Sequence, residues 1–579
     1  MKKVVILILM MAVAAWGCSG DYITIDEIVP QTGENVGSDD DGDDNDGDGT
    51  TSGTADTGSD TDKDADEISG TTFAKTITVT FGGSTAVVSG DDSGFATVSG
   101  NGVTVINTGD EIIKYVLTGS SSSGFFKLYS NRKQAIVLKD LNLTNPSGAA
   151  INNQSKKRTF VVLEGSSKIA DGSSYTMVTD EDQKAAFFSE GQLVFSGDGS
   201  LAVTATGKAG ITSDDYVAFL GTQTVSVNSS AGHGIRGKEY IKVADGTIDV
   251  EVSANMKKGF SSDSLVVFDG GVTTIKVSGS AAYDEEDKEY SGTAGVKADQ
   301  LFIMNDGTLK ITNSGTGGKG ISCDALGYFN GGTVNVSVTG SNYTGNKSLA
   351  SDYTVGAKGI KFDGALYFNG SKVSVTAKNH EAIESKGKIE VNGGEVYANS
   401  SGDDSINAAG DFTINDGYIC GISSANDGMD ANGNFYIKGG VVYAVGKSSP
   451  EVAIDANTEG GKKLYVQGGT LFAIGGLESG SSLTQNCYSA SSWNKSANYA
   501  LTVGSDTYVF KTPASGGSGI VVSGASTPTL KSGVTVSGGT SIFGGYGTLG
   551  ATVSGGSSVS LSSYSGGNGG PGGGPGGRW

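Results

Sequence analysis

The feature that most constrains this chain is a repeat of about 24 residues. Two copies follow each other in residues 358–402, KGIKFDGALYFNGSKVSVTAKNH and EAIESKGKIEVNGGEVYANSSG. Each copy carries near its start a large apolar residue, termed the marker, followed by two alternating runs separated by Asn-Gly or Gly-Gly. The markers are Phe187, Ile211, Ile235, Phe260, Val296, Ile321, Ile360, Ile383, Ile406, Met429 and Ile454. A period of this length indicates stacked repeats, because one copy cannot bury its apolar face alone.

Alternation predicts strands, since successive side chains of a strand point to opposite faces. Helical periodicity is missing, and the 94 glycines argue against helical repeats. We therefore predict an all-β fold, a single-stranded right-handed parallel β-helix with one coil per copy. Six and eight residues beyond the marker, further inward stacks are expected: Val266/Phe268, Phe302/Met304, Leu366/Phe368, Ile389/Val391 and Phe412/Ile414. Two longer steps between markers predict insertions near 279–293 and 339–357, standing off one face as loops.

The N-terminus has the composition of an export signal. Lys2 and Lys3 precede an apolar run, Val4 to Trp16, that is too short to span a bilayer and ends at Cys18. Residues 1–18 resemble a bacterial lipoprotein signal with Cys18 as the lipidated residue; cleavage beside an incidental cysteine is the alternative. An exported protein anchored by lipid to a bacterial membrane, at the outer membrane or cell surface, is expected.

The remaining boundaries follow composition and pattern. Residues 19–70 are acidic, hold much of the formal charge of −22, and are predicted to form a disordered spacer. Residues 71–183 are predicted to be a β entry and capping region, and 184–480 the regular coils. Residues 481–564 are expected to be an irregular β region, and 565–579 a Gly/Pro-rich disordered tail. Four cysteines show no disulfide framework, and so acidic a chain is not expected to bind nucleic acid.

Two groups of acidic residues recur at fixed repeat positions. Three residues after the marker stand Asp214, Asp263, Asp299, Asp324 and Asp363. Stacked coils lie about 4.8 Å apart, so these carboxylates repel one another unless neutralised. Lys258, Lys319 and Lys358, two residues before the marker, are candidate partners for Asp263, Asp324 and Asp363; a metal ion is the other possibility. In the later coils lysine is scarce around Asp403, Asp404, Asp427, Asp430 and Asp455. An all-oxygen cluster without basic partners favours Ca²⁺, and a solvated ridge with Asn ladders is the alternative.

Several segments together carry a family resemblance. They are the steps DGMDAN and AIDAN, the strands IKGGVVYAVG and VQGGTLFAIG, and the entry segments VTVINTGDEIIKYVLTG and AIVLKDLNLTNPSGAAINN. Over roughly residues 75–480 the chain resembles the calcium-containing parallel β-helix family of carbohydrate-binding proteins. The resemblance implies a non-catalytic protein at the cell surface that binds Ca²⁺ and an acidic plant polysaccharide such as polygalacturonate (pectin).

Two other classes of function stay open. Parallel β-helices also house pectate lyases, and Arg236 beside Lys238, Asp214 and Asp263 is the group that could supply a base and a metal for a calcium-dependent lyase. The segments Ser213-Asp214-Asp215 and Gly232-His233-Gly234 resemble two polygalacturonase motifs, but the other motifs of those hydrolases are missing. A structural surface protein or adhesin is the third class. With no catalytic residue singled out for certain, the sequence favours binding over catalysis.

Tyrosines mark a candidate contact face. Tyr328, Tyr367 and Tyr436 stand seven residues after a marker, an outward position, and the second insertion adds Tyr343 and Tyr353. Pyranose rings pack on flat amphipathic platforms, which tyrosine supplies. One stripe of tyrosines beside the insertion loops is therefore predicted to hold the sugar. The alternative is that an exposed strand simply tolerates aromatic residues.

Overall fold

The computed structural model describes residues 66–566. The predictions for the export signal with Cys18, for the spacer up to residue 65 and for the tail from residue 567 fall outside this range. The described chain is almost entirely β, a solenoid of about 15 turns, with two short 3₁₀ segments at Ile68–Gly70 and Phe543–Gly545. Within residues 66–566 we find no helix with the length and apolarity needed to cross a membrane.

Each regular turn contributes three strands, which stack on equivalent strands of the turns before and after. The turn that begins with marker Ile360 contains Ile360–Phe362, Leu366–Phe368 and Lys372–Ala377. All three pair in parallel with the turn that precedes them. We term the three resulting ladders face 1, face 2 and face 3, in chain order.

The strands divide among the faces as follows. Face 1 consists of Asn101–Asn107, Gly124–Ser130, Ile151–Asn153, Ala185–Ser189, Ala209–Ser213, Ile235–Gly237, Lys258–Ser262, Ala294–Ala298, Lys319–Cys323, Ile360–Phe362, Ile383–Ser385, Ile406–Ala408 and Met429–Ala431. Face 2 consists of Lys75–Phe81, Ile113–Ser121, Gln134–Thr144, Thr159–Glu164, Leu193–Gly197, Val217–Phe219, Tyr240–Val243, Leu265–Phe268, Leu301–Met304, Leu326–Phe329, Leu366–Phe368, Ile389–Val391, Phe412–Ile414, Phe435–Ile437, Leu464–Val466 and Ser482–Leu483. Face 3 consists of Ser166–Ala170, Ser200–Ala205, Thr224–Ser229, Thr247–Val252, Val272–Val277, Thr308–Asn313, Thr333–Val338, Lys372–Ala377, Glu395–Ser400, Tyr418–Ser423, Val441–Val445 and Thr470–Ile474.

The markers form one column in register along face 1. Each marker from Phe187 to Met429 pairs with the next, and Ile454 joins through an isolated bridge to Met429. The markers and the five predicted inward pairs of face 2 all belong to one continuous buried core. Burying one such side chain contributes roughly 1.5–3 kcal/mol. The prediction of an all-β parallel β-helix is confirmed.

The coils begin well before residue 184. Lys75–Phe81 already pairs in parallel with Ile113–Ser121, and Asn101–Asn107 with Gly124–Ser130. The end of the stack is formed by two antiparallel strands, Val87–Ser89 and Ala96–Ser99. The repeat period does not reveal these turns, because their strands reach 11 residues and their loops differ in length.

Both predicted insertions are short antiparallel hairpins between face 3 and face 1. The first pairs Ala282–Asp284 with Glu289–Ser291, and the second pairs Tyr343–Thr344 with Thr354–Val355. In each case the turns on either side stay in parallel register. The insertions therefore leave the ladders undisturbed, as expected for loops that stand off one corner of the coil.

The region after residue 481 is an ordered antiparallel structure. Ile520–Ser523 runs antiparallel to Thr470–Ile474 and to Cys487–Ala490, which also pairs with Ser562–Tyr564. A separate sheet, termed the C-terminal sheet, contains six strands: Asn498–Val503, Asp506–Lys511, Thr529–Ser537, Thr540–Ile542, Gly547–Leu549 and Thr552–Val559.

The C-terminal sheet packs on the outer side of face 3 in the late turns. There it forms a second buried core in which Tyr443 and Phe472 contact Phe510. Apolar outward residues on face 3 are thus explained by the layer that covers them. Cys323, Cys420 and Cys487 are buried free thiols.

Candidate functional site

The carboxylates of the late turns line one edge of face 1. We term Asp403, Asp404, Asp427, Asp430, Asp455 and Glu478 the acidic ridge. They occupy three repeat positions around the marker column: three residues before it (Asp403), two before it (Asp404 and Asp427) and one after it (Asp430, Asp455 and Glu478). Asn407 pairs with Asp430, and bridges from Ile454 to Met429 and to Leu477 place Asp455 and Glu478 in the next two turns. The ladder thus sets one acidic group beside another in successive turns.

Backbone N–H groups hold three of these aspartates in place, two of them from the following turn and one from the adjacent residue. The Asp427 N–H donates to Asp404 Oδ1 at 3.0 Å, and the Val452 N–H donates to Asp427 Oδ1 at 2.5 Å. The Ala456 N–H donates to Asp455 Oδ1 at 2.8 Å. These bonds fix the carboxylates without supplying positive charge. Across residues 66–566, Asp404, Asp427, Asp430 and Asp455 have no cationic side chain within 4.0 Å.

Burial makes the charged form of these carboxylates costly. It raises the pKa of Asp404 to about 9, with further contributions from the charges of Asp430 and Asp427. Burial likewise raises the pKa of Asp427 to about 7 and that of Asp430 to about 6. The pKa of Asp455 rises to about 10 through burial and a hydrogen bond with Glu478. Carboxylates in such surroundings are neutralised either by protons or by a cation.

A lysine and a histidine end the acidic ridge on the side of the earlier turns. Lys358 Nζ lies 3.3 Å from Glu381 and 2.6 Å from Glu384. His380 Nδ1 contacts Glu381 and lies 3.3 Å from Asp403. Burial opposes ionisation of Glu381, but the His380 hydrogen bond and the Lys358 charge outweigh it and lower the Glu381 pKa to about 2. Glu381 is therefore an anion with its partners in place, unlike the ridge aspartates.

The acidic ridge is a row of carboxylates and has no single compact centre. Among the described residues, two triads place one ligand atom each within 4.8 Å of one another. They are His380, Glu381 and Asp403 in the late turns and Asp182, Glu190 and Asp214 near the start of the regular turns. Of the predicted set, Asp403 joins the first triad and Asp214 the second, whereas Asp404, Asp427, Asp430 and Asp455 stay spread along the ladder.

The acidic column of the earlier turns is neutralised by cations, but the predicted partners are wrong. The observed pairs are Lys184–Asp214 at 2.6 Å, Arg236–Asp263 at 2.8 Å, Lys297–Asp299 at 2.9 Å, Lys297–Asp324 at 2.6 Å, Lys361–Asp363, and Lys386–Asp363 at 3.9 Å. Most of these cations stand one residue after the marker. That position is two residues from the aspartate and so projects from the same side of the strand. Lys258, Lys319 and Lys358 lie at the other end of the strand.

The group proposed for a lyase is organised as an ion pair. Arg236 donates to Asp263 Oδ2 at 2.8 Å, and the Lys238 N–H donates to the carbonyl of Ser213 in the ladder. His233, from the polygalacturonase-like segment, accepts the Lys258 N–H at Nδ1 at 3.1 Å. Burial, followed by nearby cations, lowers the His233 pKa well below its usual range. These residues thus have defined roles in holding adjacent turns together.

The tyrosines do not form one stripe. Tyr328 stacks on Tyr367 on the outer side of face 2, and Tyr436 stacks on Tyr465, each with ring centroids 4.9 Å apart. Glu390 and Thr413 separate the two stacks. Tyr328 is only 8% exposed.

Tyr343 and Tyr353 lie elsewhere, on the second hairpin. Tyr343 packs there on Tyr290 of the first hairpin, with ring centroids 5.7 Å apart, and the Tyr353 carbonyl accepts the Gly345 N–H. The prediction of a stripe beside the insertions is wrong, because the insertions join face 3 to face 1 whereas the marker-plus-seven position lies on face 2.

Two residues of the site were missed by sequence reasoning. Glu478 follows Leu477, which continues the marker column one turn beyond Ile454 at the same period. Extending the repeat by 23 residues would have found it. His380 carries no periodic signal, since its role depends on contacts with Glu381 and Asp403 from two different turns.

A solved structure and a protein-family model are each similar to part of this chain. Among solved structures, the polysaccharide lyase-like protein from C. thermocellum, determined as a gadolinium derivative, is similar to the chain at 19% identity. The match covers 45% of this chain and 96% of that one, with a TM-score of 0.36. No curated protein sequence matches the chain.

A protein-family model gives the broader match. The model of carbohydrate-binding domain-containing proteins matches residues 99–405 and again residues 357–491. Together these segments take in the stacked turns of all three faces and more than half of the 579 residues. The chain belongs to the family of carbohydrate-binding domain-containing proteins.

Proposed function

We propose that this protein is a non-catalytic, cell-surface binder of acidic polysaccharide, of the polygalacturonate or pectin type, and that Ca²⁺ on the acidic ridge mediates the binding. The observation that carries the proposal is the row of buried ridge aspartates that lack a cationic partner among the described residues. Membership of the family supports a carbohydrate ligand. The chemistry of the ridge supports the acidic class of ligand and the cation.

The donor set of the acidic ridge fits a hard divalent cation. Every candidate ligand atom on Asp404, Asp427, Asp430 and Asp455 is a carboxylate oxygen, the type that Ca²⁺ prefers. Their raised pKa values mean that, without added positive charge, Asp404 and Asp455 keep protons at neutral pH. A bound cation would supply that charge and present coordination positions to the carboxylates of uronate residues.

Different residues of the chain then contribute different parts of the proposed site. The backbone N–H bonds to Asp404, Asp427 and Asp455 hold the carboxylates at fixed rungs of the ladder. Successive rungs lie about 4.8 Å apart, so the ridge offers a linear series of sites to a linear polymer. Lys358 closes the series by neutralising Glu381, which also contacts His380.

The charge of the chain explains why a cation is needed for this ligand. A protein with a formal charge of −22 repels a polyanion at long range. Divalent cations on the ridge would make the local electrostatic potential positive where the polymer approaches. Placement at the cell surface is part of the proposal and depends on the predicted signal at 1–18, the lipid on Cys18 and the spacer at 19–70.

Native affinity electrophoresis tests the proposal. The protein is run through gels with and without polygalacturonate, in calcium and in EGTA, and absorbance of unsaturated products is followed in parallel. We expect retardation in calcium that EGTA abolishes, with no rise in absorbance. Asp404→Asn with Asp427→Asn should abolish the retardation, whereas Asp299→Asn, from an acid paired with Lys297, should leave it unchanged.

Three outcomes would contradict the proposal. Absence of retardation in calcium would exclude polygalacturonate as the ligand. Retardation that persists in EGTA or in the double ridge variant would exclude the acidic ridge as its cause. Rising absorbance would identify the protein as a lyase, the alternative that Arg236 and Lys238 represent.

A further inference from the structure

A second site lies in a groove between the late turns and the C-terminal sheet. The groove has a volume of ≈ 660 Å³. The solenoid side contributes the bends between face 2 and face 3 in four successive turns, and the opposite side contributes Tyr508. The lining side chains that bear on its chemistry are Lys372, Glu395, Asp416, Tyr418 and Tyr508.

Glycine gives the groove a floor of backbone. Gly394 and Gly417 have φ of +77° and +91°, which side-chain-bearing residues rarely adopt. A Cβ at Gly394 would lie 2.4 Å from the Ser371 carbonyl oxygen of the turn below. Glycine at Gly394 and Gly417 therefore lets the peptide groups of successive turns approach closely, and the result is a shallow channel lined largely with peptide groups. Four bends at about 4.8 Å spacing span roughly 14 Å.

The walls combine aromatic rings with paired charges. Tyr418 and Tyr508 are both half-buried and lie on opposite sides of the groove. Lys372 Nζ lies 3.0 Å from Glu395, whose Oε1 also accepts the Phe543 N–H at 2.8 Å. That second bond ties the C-terminal sheet to the solenoid and holds the two walls at a fixed separation. Glu395 is thus neutralised, and the exposed Asp416 leaves the groove slightly negative.

A ladder of amides runs along the same bends. Asn415 Nδ2 donates to Asn392 Oδ1 at 2.7 Å, and Asn392 donates to Asn369 at 2.9 Å. The ladder continues through Asn330 and Asn305 to Asp269. Asn392 and Asn415 are exposed beside the groove. Amides and peptide groups at regular spacing offer donors and acceptors that match hydroxyl groups.

We propose that this groove binds a neutral, hydroxyl-rich polysaccharide segment a few pyranose residues long, without calcium. Two tyrosines supply faces for sugar rings, and the amides, peptide groups and carboxylates bind hydroxyls. A uronate chain is disfavoured here, because Asp416 lacks a cationic partner within the described chain and Lys372 is already paired with Glu395. The proposal goes beyond the calcium-dependent function of the acidic ridge, since it names a different surface and a different ligand class.

Affinity electrophoresis in EDTA tests the groove separately from the acidic ridge. The probes are three soluble neutral polymers: hydroxyethylcellulose, xylan and β-1,4-galactan. We expect at least one to retard the protein, and Tyr508→Ala to weaken that retention roughly tenfold, since losing one aromatic platform removes about 1 kcal/mol or slightly more. Tyr508→Leu, which keeps apolar volume against the second buried core but loses the flat ring, should weaken it similarly.

The matched control is Tyr283→Ala, which removes an equally half-buried tyrosine from the first hairpin. It should leave neutral-polymer retention intact, and Tyr508→Leu should leave calcium-dependent polygalacturonate retention intact. Retardation by none of the three polymers overturns the proposal, as does retardation that both Tyr508 variants preserve. Because EDTA removes calcium, the groove and the acidic ridge can fail independently of each other.

Discussion

The same repeat position carries opposite charges in the two halves of the solenoid. Two residues before the marker stand Lys258, Lys319 and Lys358 in the earlier turns and Glu381, Asp404 and Asp427 in the later ones. The carbonyl at this position accepts an N–H of the preceding turn in both halves: Lys258 accepts from Gly234, and Asp427 accepts from Ser405. The ladder therefore fixes the position of these side chains, whereas their charge can differ from turn to turn.

The two halves accommodate their buried ionisable side chains differently. In the earlier half Lys258 Nζ donates to the Met256 carbonyl at 2.6 Å and to Ser291 Oγ at 3.2 Å. Burial and neighbouring lysines lower the pKa values of Lys258 and Lys319 to about 8. In the later half burial raises the pKa values of Asp404 and Asp427, which likewise favours their neutral forms. Apart from the Lys358–Glu381 pair, both columns thus disfavour charge, but a metal ion could restore it only in the acidic column.

The junction between the halves is itself an ion pair. Lys358 reaches Glu381 and Glu384 of the next turn and so joins the last cationic rung to the first anionic one. Beyond it, no described lysine or arginine approaches the ridge aspartates. In this solenoid one repeat position thus changes from cationic to anionic side chains while the turns continue to stack in parallel.

The largest expected effect is on calcium-dependent stability. Calcium that binds only the folded chain stabilises it by mass action, about 2.7 kcal/mol when its concentration is 100 times the dissociation constant. Asp404→Asn with Asp427→Asn should remove this gain, measured as the rise in melting temperature on adding calcium. Asp324→Asn, from an acid that Lys297 pairs in the earlier half, is the matched control and should keep the gain. An unchanged gain in the double variant would move the metal to another part of the chain.

The second effect is a pH dependence of opposite sign in the two halves. Folding raises the pKa values of Asp404 and Asp427 to about 9 and about 7, so the folded state binds more protons than the unfolded state above about pH 4. Without calcium, stability should therefore fall as pH rises towards 9. Lys258 and Lys319 have lowered pKa values of about 8, so they add stability as pH rises from about 8 to 10.5.

Urea unfolding in EDTA between pH 5 and 10 checks these signs. Asp404→Asn should flatten the decline below pH 9, and Lys319→Met should remove part of the gain above pH 8. A decline that is the same in Asp404→Asn as in the natural protein would show that the ridge carboxylates are already ionised without metal. The calcium proposal depends on ridge carboxylates that require a cation to become charged, so that result would contradict it.

Periodicity predicts whatever repeats once per turn. Marker positions such as Ile383 and inward pairs such as Leu366/Phe368 follow from spacing alone, because each turn must bury the same positions. Contacts between turns of unequal length do not follow from the spacing. The pairing of Arg236 with Asp263 depends on which side of a strand each residue leaves, and the groove at Tyr508 needs a sheet folded back from the C-terminus. The repeat carries no information about such packing.

A smaller effect should separate the two tyrosine stacks. Tyr436→Ala with Tyr465→Ala removes the more exposed stack from face 2 and should leave the melting temperature unchanged. It should also leave polygalacturonate retention unchanged, because the acidic ridge that we propose to bind this polymer lies on face 1. Tyr328→Ala with Tyr367→Ala opens a stack in which Tyr328 is buried, so it should also cost roughly 1–3 kcal/mol of stability. Polygalacturonate retention that fell several-fold in the Tyr436 and Tyr465 double variant would extend the polymer-binding surface to face 2.

The smallest effect is expected at Arg236, where the binding and lyase alternatives differ most. The Arg236–Asp263 pair is partly exposed, so Arg236→Gln should lower the free energy of unfolding by less than about 1 kcal/mol. It should also leave calcium-dependent retention on polygalacturonate unchanged, because the pair stands in the earlier half, outside the acidic ridge. Lys297→Gln, which breaks the equivalent pairs with Asp299 and Asp324, is the matched control. The binding proposal would be contradicted if the natural protein released unsaturated products and Arg236→Gln alone stopped their release. Arg236 would then be the catalytic base of a lyase, and the active site would lie in the earlier half of the solenoid.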